Sequence, residues 1–385
     1  GDWKWAQSKM SRCDPRPALI FTLNWWRYCG LSPRKWRSYY RTGRGITLIS
    51  QNRIKDAIGR LQRAIDLASD NAWAHFNLGY AYEKGNMIVE ALSEYEHALR
   101  ISPAYRNARI AVASLLSKKG EFEKEMDILK EGIQINPAEI DYFIALGNAY
   151  CDLDRFDEAI REYKRALEMD PKSATVHTNL GLAYKNTRDL DSAQAHFEQA
   201  LGIDPQSIIA RCGLGAVYEL KGELEKAMEE YEKVLELNET DFDALYSLGD
   251  VYDELKDNSK ALECYQKALD LQPENADVLN NLGNVYLRAE RIDKAIQTYK
   301  RALTLHPNSP LILCNLGNAL RVQGNVDEAI RECKKAVELE PGVPTNSYNL
   351  GLAYLEKGMI EEARESFSIA AHLGHSNATK ELKKL

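Results

Sequence analysis

The sequence has few of the residues from which catalytic, metal and disulfide sites are built. Its seven histidines are scattered along 385 residues, and no third metal ligand accompanies the pair His372 and His375. Its seven cysteines form no C-x-x-C pair, and their odd number favours free thiols in a reducing compartment. A glycine-rich phosphate loop and a GxSxG elbow are also missing. These absences predict a protein that is not an enzyme and that holds no cofactor or metal.

Long apolar runs are missing too. No run approaches the roughly 18 residues that a membrane-spanning helix needs. The nearest candidate, ALIFTLNWW at 18–26, follows two prolines and lacks a small-residue cleavage site, so we expect no signal peptide. We therefore expect a cytoplasmic protein, or one that is peripheral to a membrane.

Acidic residues are scarce in the first part of the chain. Residues 1–50 contain ten Lys or Arg against two Asp or Glu, a formal charge of +8, so the other residues carry −15 of the total of −7. A basic head on an acidic body predicts two surfaces with different partners.

Internal repetition is the main feature that the sequence does have. Residues 155–171, RFDEAIREYKRALEMDP, return at 291–307 as RIDKAIQTYKRALTLHP, an offset of four times 34. Steps of 34 from Gly79 reach a glycine in every unit except the one with Ala113. Twelve positions further on, each unit has alanine except at Glu125, and four positions after that a row of bulky side chains begins with Tyr95.

Each unit contains two apolar stripes with helical spacing, and in most units a proline ends the second stripe. A single helix pair cannot bury its apolar face, so the pairs must stack. This pattern predicts an all-α fold. It resembles the tetratricopeptide repeat, a helix-turn-helix unit of about 34 residues. The resemblance implies a right-handed α-solenoid superhelix with a concave groove, lined by the first helix of each repeat.

The same register predicts the domain organisation. We expect a basic, tryptophan-rich segment at 1–37, a degenerate repeat at 38–71, nine tandem repeats at 72–377 and a C-terminal capping helix at 378–385. The predicted repeats start at residues 72, 106, 140, 174, 208, 242, 276, 310 and 344.

Asparagine recurs at the positions that face the groove in this family. An amide both donates and accepts, so a row of amides can hold the backbone of an extended peptide. The repeats of O-linked N-acetylglucosamine transferase use such an asparagine ladder, and this groove resembles theirs. Alternatively, these asparagines are common in the family because they support the turn between the two helices or are solvated. The predicted groove residues are Asn77, Asn148, Asn179, Tyr246, Asn280, Asn281, Asn284, Asn315, Asn318, Arg321, Tyr348 and Asn349.

An acidic cluster occupies the groove positions of one repeat: Asp243, Asp250, Asp253 and Glu254. It favours a basic peptide segment, although a solvated acidic face is the plainer interpretation. We therefore expect a non-catalytic scaffold that binds an extended or basic segment of a protein partner. The alternative is a structural or assembly subunit that binds other copies or a larger, membrane-associated complex through its convex surface and ends.

The basic head carries five of the six tryptophans. It either caps the first repeat, docks on a protein, lies on an anionic membrane or stacks on single-stranded nucleic acid. No known nucleic-acid-binding fold is visible, which makes nucleic acid the least expected partner. We predict docking to a second partner or a membrane surface. The predicted docking residues are Trp3, Trp5, Trp25, Trp26, Arg27, Arg34, Lys35, Trp36 and Arg37.

Overall fold

The computed structural model describes residues 32–385. Within that range the chain is all-helical, with 21 α-helices and no strand, and the predicted α-solenoid fold class is confirmed. Five of the predicted docking residues, Trp3, Trp5, Trp25, Trp26 and Arg27, lie outside the described residues.

The chain divides into two compact units after Lys172. The described helices of the first unit are α1 Pro33–Ser50, α2 Ile54–Leu67, α3 Ala72–Lys84, α4 Ile88–Ile101, α5 Arg106–Lys118, α6 Phe122–Ile135, α7 Ile140–Cys151 and α8 Phe156–Met169. Those of the second unit are α9 Ala174–Asn186, α10 Leu190–Ile203, α11 Ile208–Lys221, α12 Leu224–Leu237, α13 Phe242–Glu254, α14 Asn258–Leu271, α15 Ala276–Arg288, α16 Ile292–Leu305, α17 Pro310–Gln323, α18 Val326–Leu339, α19 Pro344–Glu356, α20 Ile360–His372 and α21 Ser376–Leu382.

Odd-numbered and even-numbered helices alternate as the first and second members of antiparallel pairs. From α3 to α19 the first helices begin at regular steps of 34 in the numbering. Each pair turns at a residue with positive φ. Glycine takes this position at Gly222 and Gly324, and side-chain-bearing residues such as Glu290 take it elsewhere.

The two ends of the described chain differ from the predicted boundaries. Helix α1 begins at Pro33 because the Ser32 hydroxyl caps it, accepting a bond from the Lys35 amide at 3.2 Å. The boundary drawn between residues 37 and 38 therefore falls inside a helix. At the other end α21 begins at Ser376, and Leu382 and Leu385 pack against the core of the second unit.

Within a pair, an aromatic ring of the second helix lies on a glycine of the first. A Cβ atom added at Gly283 would stand only 2.5 Å from Cε1 of Tyr299, and the other aromatic repeats are equally tight. The alanine row, which includes Ala295, is fully buried beside these rings. Glycine, alanine and ring are thus three parts of one contact, and this contact closes each aromatic helix pair.

Candidate peptide-binding face

The tyrosine that packs on each glycine also extends its hydroxyl to the exposed side of the first helix. Tyr163 donates to Oδ1 of Asn148 at 2.6 Å, and Tyr299 donates to Oδ1 of Asn284, also at 2.6 Å. Tyr265 donates to Asp250 at the equivalent position, whereas Tyr95 and Tyr231 donate to Glu83 and Glu219, three residues further along the first helix. A buried phenol needs a hydrogen-bond partner. Asn148 and Asn284 therefore have a structural role as acceptors for buried tyrosines, in addition to the predicted place on the groove.

The signal for this role was present in the sequence. In the two repeats whose ring is Phe197 or Phe367, the side chain corresponding to Asn284 is apolar, Leu182 and Leu352 respectively. A ring without a hydroxyl requires no acceptor. In these two repeats the hydroxyl and the acceptor are absent together. Tyr231, however, donates to Glu219 and has Ala216 at the Asn284 position. Where Cys333 replaces the ring, Asn318 stands at that position.

A chain of amide hydrogen bonds crosses three consecutive first helices of the second unit. Asn315 on α17 donates to Oδ1 of Asn280 on α15 at 2.9 Å, and Asn280 donates to Oδ1 of Asn281 at 3.2 Å. Asn281 donates to the Tyr246 hydroxyl at 3.1 Å and to Oδ1 of Asp250 at 3.0 Å, both on α13. The structure therefore brings Tyr246, Asn280, Asn281 and Asn315 together.

The neighbouring predicted residues continue this pattern toward α19. Asn349 donates to Sγ of Cys314 at 3.1 Å, which joins α19 to α17. Arg321 donates to Oδ1 of Asn318 at 3.0 Å and forms an ion pair with Glu356 on α19. Tyr348 stacks on His375, with ring centroids 4.0 Å apart. These contacts fix the direction of each polar side chain before any partner arrives.

The remaining predicted groove residues are less suited to an exposed row. Asn77 is buried on α3 and donates to the Trp73 carbonyl oxygen at 2.7 Å. Asn280 is only 4% exposed, so its amide joins Asn281 to Asn315 and offers little surface to a ligand. Asn179 is half-buried on α9. An evenly exposed ladder along the whole chain is thus not what the structure contains.

The acidic cluster presents less free negative charge to a partner than the sequence suggests. Asp253 forms an ion pair with Arg288 on the next first helix. Burial raises the pKa of Asp250, although the hydrogen bonds from Tyr265 and Asn281 act in the opposite direction. Asp243 and Glu254 remain exposed to solvent. Two of the four carboxylates are thus engaged within the chain.

The described residues offer no metal site and no helix for crossing a membrane. In 32–385, no group of three His, Cys, Asp or Glu side chains could hold a metal ion. The helices of this range are too short or too polar to span a bilayer. Burial raises the pKa of Cys212 and Cys264 to about 11, which keeps both thiols protonated and unreactive at neutral pH.

Sequence comparison identifies the family. A family described as TPR repeat matches residues 45–85, 147–187, 220–256 and 317–358. Three others, described as tetratricopeptide repeats, match residues 246–310, 74–105 with 174–207, and 298–331. The chain belongs to the tetratricopeptide repeat family. Tetratricopeptide repeats mediate protein–protein interaction or complex assembly and are typically non-catalytic scaffolds.

Solved structures share the tetratricopeptide repeat fold. The APC/C hetero-tetramer Cut9–Hcn1 matches with a TM-score of 0.54 and 16% identity, over 91% of this chain and 84% of that chain. A tetratricopeptide repeat protein from Parabacteroides merdae matches with a TM-score of 0.52 and 16% identity, over 65% and 98% of the two chains. At these identities the likeness shows the fold alone.

YrrB, described as a TPR protein with an unusual peptide-binding site, is 28% identical over 49% of this chain and 98% of its own, with a TM-score of 0.41. None of the curated proteins matches the chain. Because 535 solved chains match, the tetratricopeptide repeat fold by itself does not identify a partner.

Proposed function

We propose that the chain is a non-catalytic scaffold that holds an extended peptide segment on the first-helix face of α13–α19. The observation that carries this proposal is the amide chain from Asn315 through Asn280 and Asn281 to α13. The likeness to the asparagine ladder of O-linked N-acetylglucosamine transferase rests on the sequence and belongs to this proposal.

The hydrogen-bonding capacity left over on this face suits a peptide backbone. Asn281 uses both of its N–H groups, and its Oδ1 accepts one bond, which leaves one acceptor position. No bond to Oδ1 of Asn315 is formed from within residues 32–385, and one amide hydrogen of Asn315 also remains for a ligand. Because these amides are already oriented, a partner binds with little loss of side-chain entropy. The half-buried rings of Tyr246 and Tyr348 supply apolar anchors.

A library of random peptides displayed on phage tests this function whatever the identity of the natural partner. The library is selected on the full chain, and selected peptides are then titrated against Asn281→Ala with Asn315→Ala and Asn318→Ala. We expect at least about a tenfold loss of affinity, because each lost hydrogen bond contributes about 1 kcal/mol.

The matched control replaces three exposed asparagines of the same unit that lie outside the first helices α9 to α19: Asn308, Asn325 and Asn377. It should bind the selected peptides like the unaltered chain. Circular dichroism melting confirms that both triple variants remain folded. Equal affinity of the ladder variant and the control would contradict the proposal.

A second candidate function is assembly through the second-helix side of the array. A half-exposed aliphatic side chain stands near the end of most second helices, at steps of 34 in the numbering: Ile101, Ile135 and Met169 in the first unit, and Ile203, Leu237, Leu271, Leu339 and Leu373 in the second. Such a row favours self-association or a place in a larger complex. Light scattering over a range of concentrations separates the two functions, since only assembly raises the mass.

The docking role of the N-terminal segment is part of the same proposal. Its support is the concentration of tryptophan and basic residues in 1–37, beside a protein body with net negative charge. Because α1 begins at Pro33, the segment is best removed as 1–31, which leaves the helix and its Ser32 cap intact. Unchanged association with vesicles and with partner proteins after this deletion would overturn the docking role of 1–31.

A further inference from the structure

The first helix pair forms a cleft that the groove proposal does not use. The cleft has a volume of about 530 Å³ and lies between α1 and α2. Its lining residues are Trp36, Arg37, Tyr40, Arg41, Arg60 and Arg63. Arg37 and Arg41 lie one turn apart on α1, and Arg60 and Arg63 lie one turn apart on α2. The fold thus brings together four guanidinium groups, two from each of two consecutive helices.

None of these four arginines has a carboxylate partner among residues 32–385, whereas several other basic residues of the first unit do. Arg53 pairs with Asp56 at 2.6 Å, and Arg106 pairs with Asp141 at 2.6 Å. Even Lys35, next to the cleft, pairs with Asp70. Four unpaired charges of one sign repel one another, so an anionic ligand that enters the cleft stabilises it.

The cleft also carries exposed aromatic surface. The rings of Trp36 and Tyr40 stack with centroids 5.6 Å apart, and Tyr40 is 48% exposed. Trp and Tyr beside basic residues are typical of the boundary between water and lipid headgroups.

The lining discriminates between kinds of anionic partner. Guanidinium and indole groups only donate hydrogen bonds, and the Tyr40 hydroxyl is the sole side-chain acceptor among the six lining residues. A phosphate only accepts, and arginine binds it bidentately. A peptide backbone offers as many donors as acceptors, and its N–H groups would stay unpaired here. The chemistry therefore favours lipid phosphate over an acidic peptide.

We propose that this cleft docks the chain on an anionic membrane surface by binding lipid phosphate groups. The inference rests on the docking part of the proposed function, and it assigns membrane binding to the cleft between α1 and α2 as well as to the N-terminal segment. Arg60 and Arg63, which lie outside the basic head, contribute as much as Arg37 and Arg41.

The experiment measures sedimentation of the full chain with vesicles of phosphatidylcholine that contain about a third phosphatidylserine, and with pure phosphatidylcholine vesicles. The variant Arg60→Gln with Arg63→Gln should bind the anionic vesicles about 25-fold more weakly, since each basic residue contributes about 1 kcal/mol, or about fivefold. Arg37→Gln with Arg41→Gln should lose a similar factor. The matched control, Arg100→Gln with Arg161→Gln, removes the same charge from exposed positions of the same unit and should bind like the unaltered chain.

Two outcomes would overturn the proposal. Arg60→Gln with Arg63→Gln would retain full vesicle binding if docking resides in residues 1–31 alone. The second outcome is that a poly-glutamate peptide binds and requires Arg60 and Arg63, while anionic vesicles do not bind. This result would indicate an acidic protein partner. Melting curves verify the fold of each variant. Binding of the selected phage peptides is measured in parallel, and the arginine variants should not change it. A failure of the membrane-docking proposal is therefore distinguished from a failure of the proposed peptide binding.

Discussion

The helix pairs α5–α6 and α15–α16 occupy equivalent places in the repeat and close in different ways. In α15–α16 the ring of Tyr299 lies on Gly283, and its hydroxyl reaches Asn284. In α5–α6, Ala113 takes the position of the glycine and Leu129 takes the position of the ring, so the pair has no aromatic hydroxyl to satisfy.

Pair α5–α6 is instead held by a buried cation. Arg109 is only 2% exposed, and it donates to the Pro103 carbonyl at 2.9 Å, the Ile128 carbonyl at 3.0 Å and Oε2 of Glu131 at 2.8 Å. Gly132 makes room for it, because a Cβ there would stand 2.6 Å from Cδ of Arg109.

The difference teaches that the polar first-helix face is coupled to the core. The hydroxyl of a core tyrosine reaches this face and requires an acceptor there, whereas Leu129 has no hydroxyl and places no such requirement on its pair. The asparagines and acids of the face are therefore partly a consequence of how each pair closes.

The largest expected effect comes from removing the buried cation. Arg109→Ala leaves two carbonyl oxygens without their donor and opens a cavity, so it should lower the free energy of unfolding by about 3–5 kcal/mol. The control Arg106→Ala removes an exposed ion pair and should cost under about 1 kcal/mol. Urea titration measures both. Similar costs for the two variants would show that Arg109 does not hold the pair together.

A pH effect should also arise from Glu125 on α6. Glu125 is 5% exposed where other repeats have alanine, and burial raises its pKa from 4.5 to about 7. Since the folded state favours the protonated acid, this stabilisation is complete below pH 4.5 and is lost as the pH rises through about 7. The loss should be about 2–3 kcal/mol.

Glu125→Gln should remove this part of the pH dependence in urea titrations between pH 4.5 and 7.5. The neighbouring groups that face Glu125 are Ser117 and Asp152. Asp152→Asn serves as the control, and it should leave most of the slope in place, because burial is the main cause of the shift. An unchanged slope in Glu125→Gln would assign the pH dependence to other groups.

Overpacking should affect the aromatic pair by about 2 kcal/mol. Gly283→Ala places a methyl group against the Tyr299 ring and must push the two helices apart. Gly202→Ala, on an open face of α10, should instead raise stability by about 0.5–1 kcal/mol. The two signs are read from melting temperatures, and a stabilising Gly283→Ala would show that the contact is loose.

Much of the fold was predictable from the sequence because glycine, alanine and the aromatic residue recur every 34 positions. Gly283, Ala295 and Tyr299 together indicate which faces of α15 and α16 meet. Periodicity could not show that Asn280 or Arg109 is buried, since both depend on contacts between side chains of different helices. Likewise, the cleft at Arg37 and Arg60 depends on where α1 begins, and a single serine cap decides that.

The smallest expected stability effect concerns the hydroxyl of the aromatic pair. Tyr299→Phe leaves the Asn284 acceptor unpaired and should cost about 1 kcal/mol. Adding Asn284→Leu reproduces the combination of Phe367 with Leu352 and should restore most of that loss. A double-mutant cycle measures the coupling free energy between Tyr299 and Asn284. If the two substitutions had additive effects on stability, the first-helix face would not be coupled to the core.

The most direct test of the proposed peptide-binding face is photo-crosslinking from a single introduced residue. Benzoylphenylalanine replaces Ser247, which occupies on α13 the place that Asn281 and Asn315 occupy on α15 and α17. The control replaces Lys300, which is exposed on the second helix α16. We predict that a phage-selected peptide crosslinks at residue 247 and not at residue 300. Crosslinking at residue 300 alone would place the partner on the second-helix side and contradict this prediction.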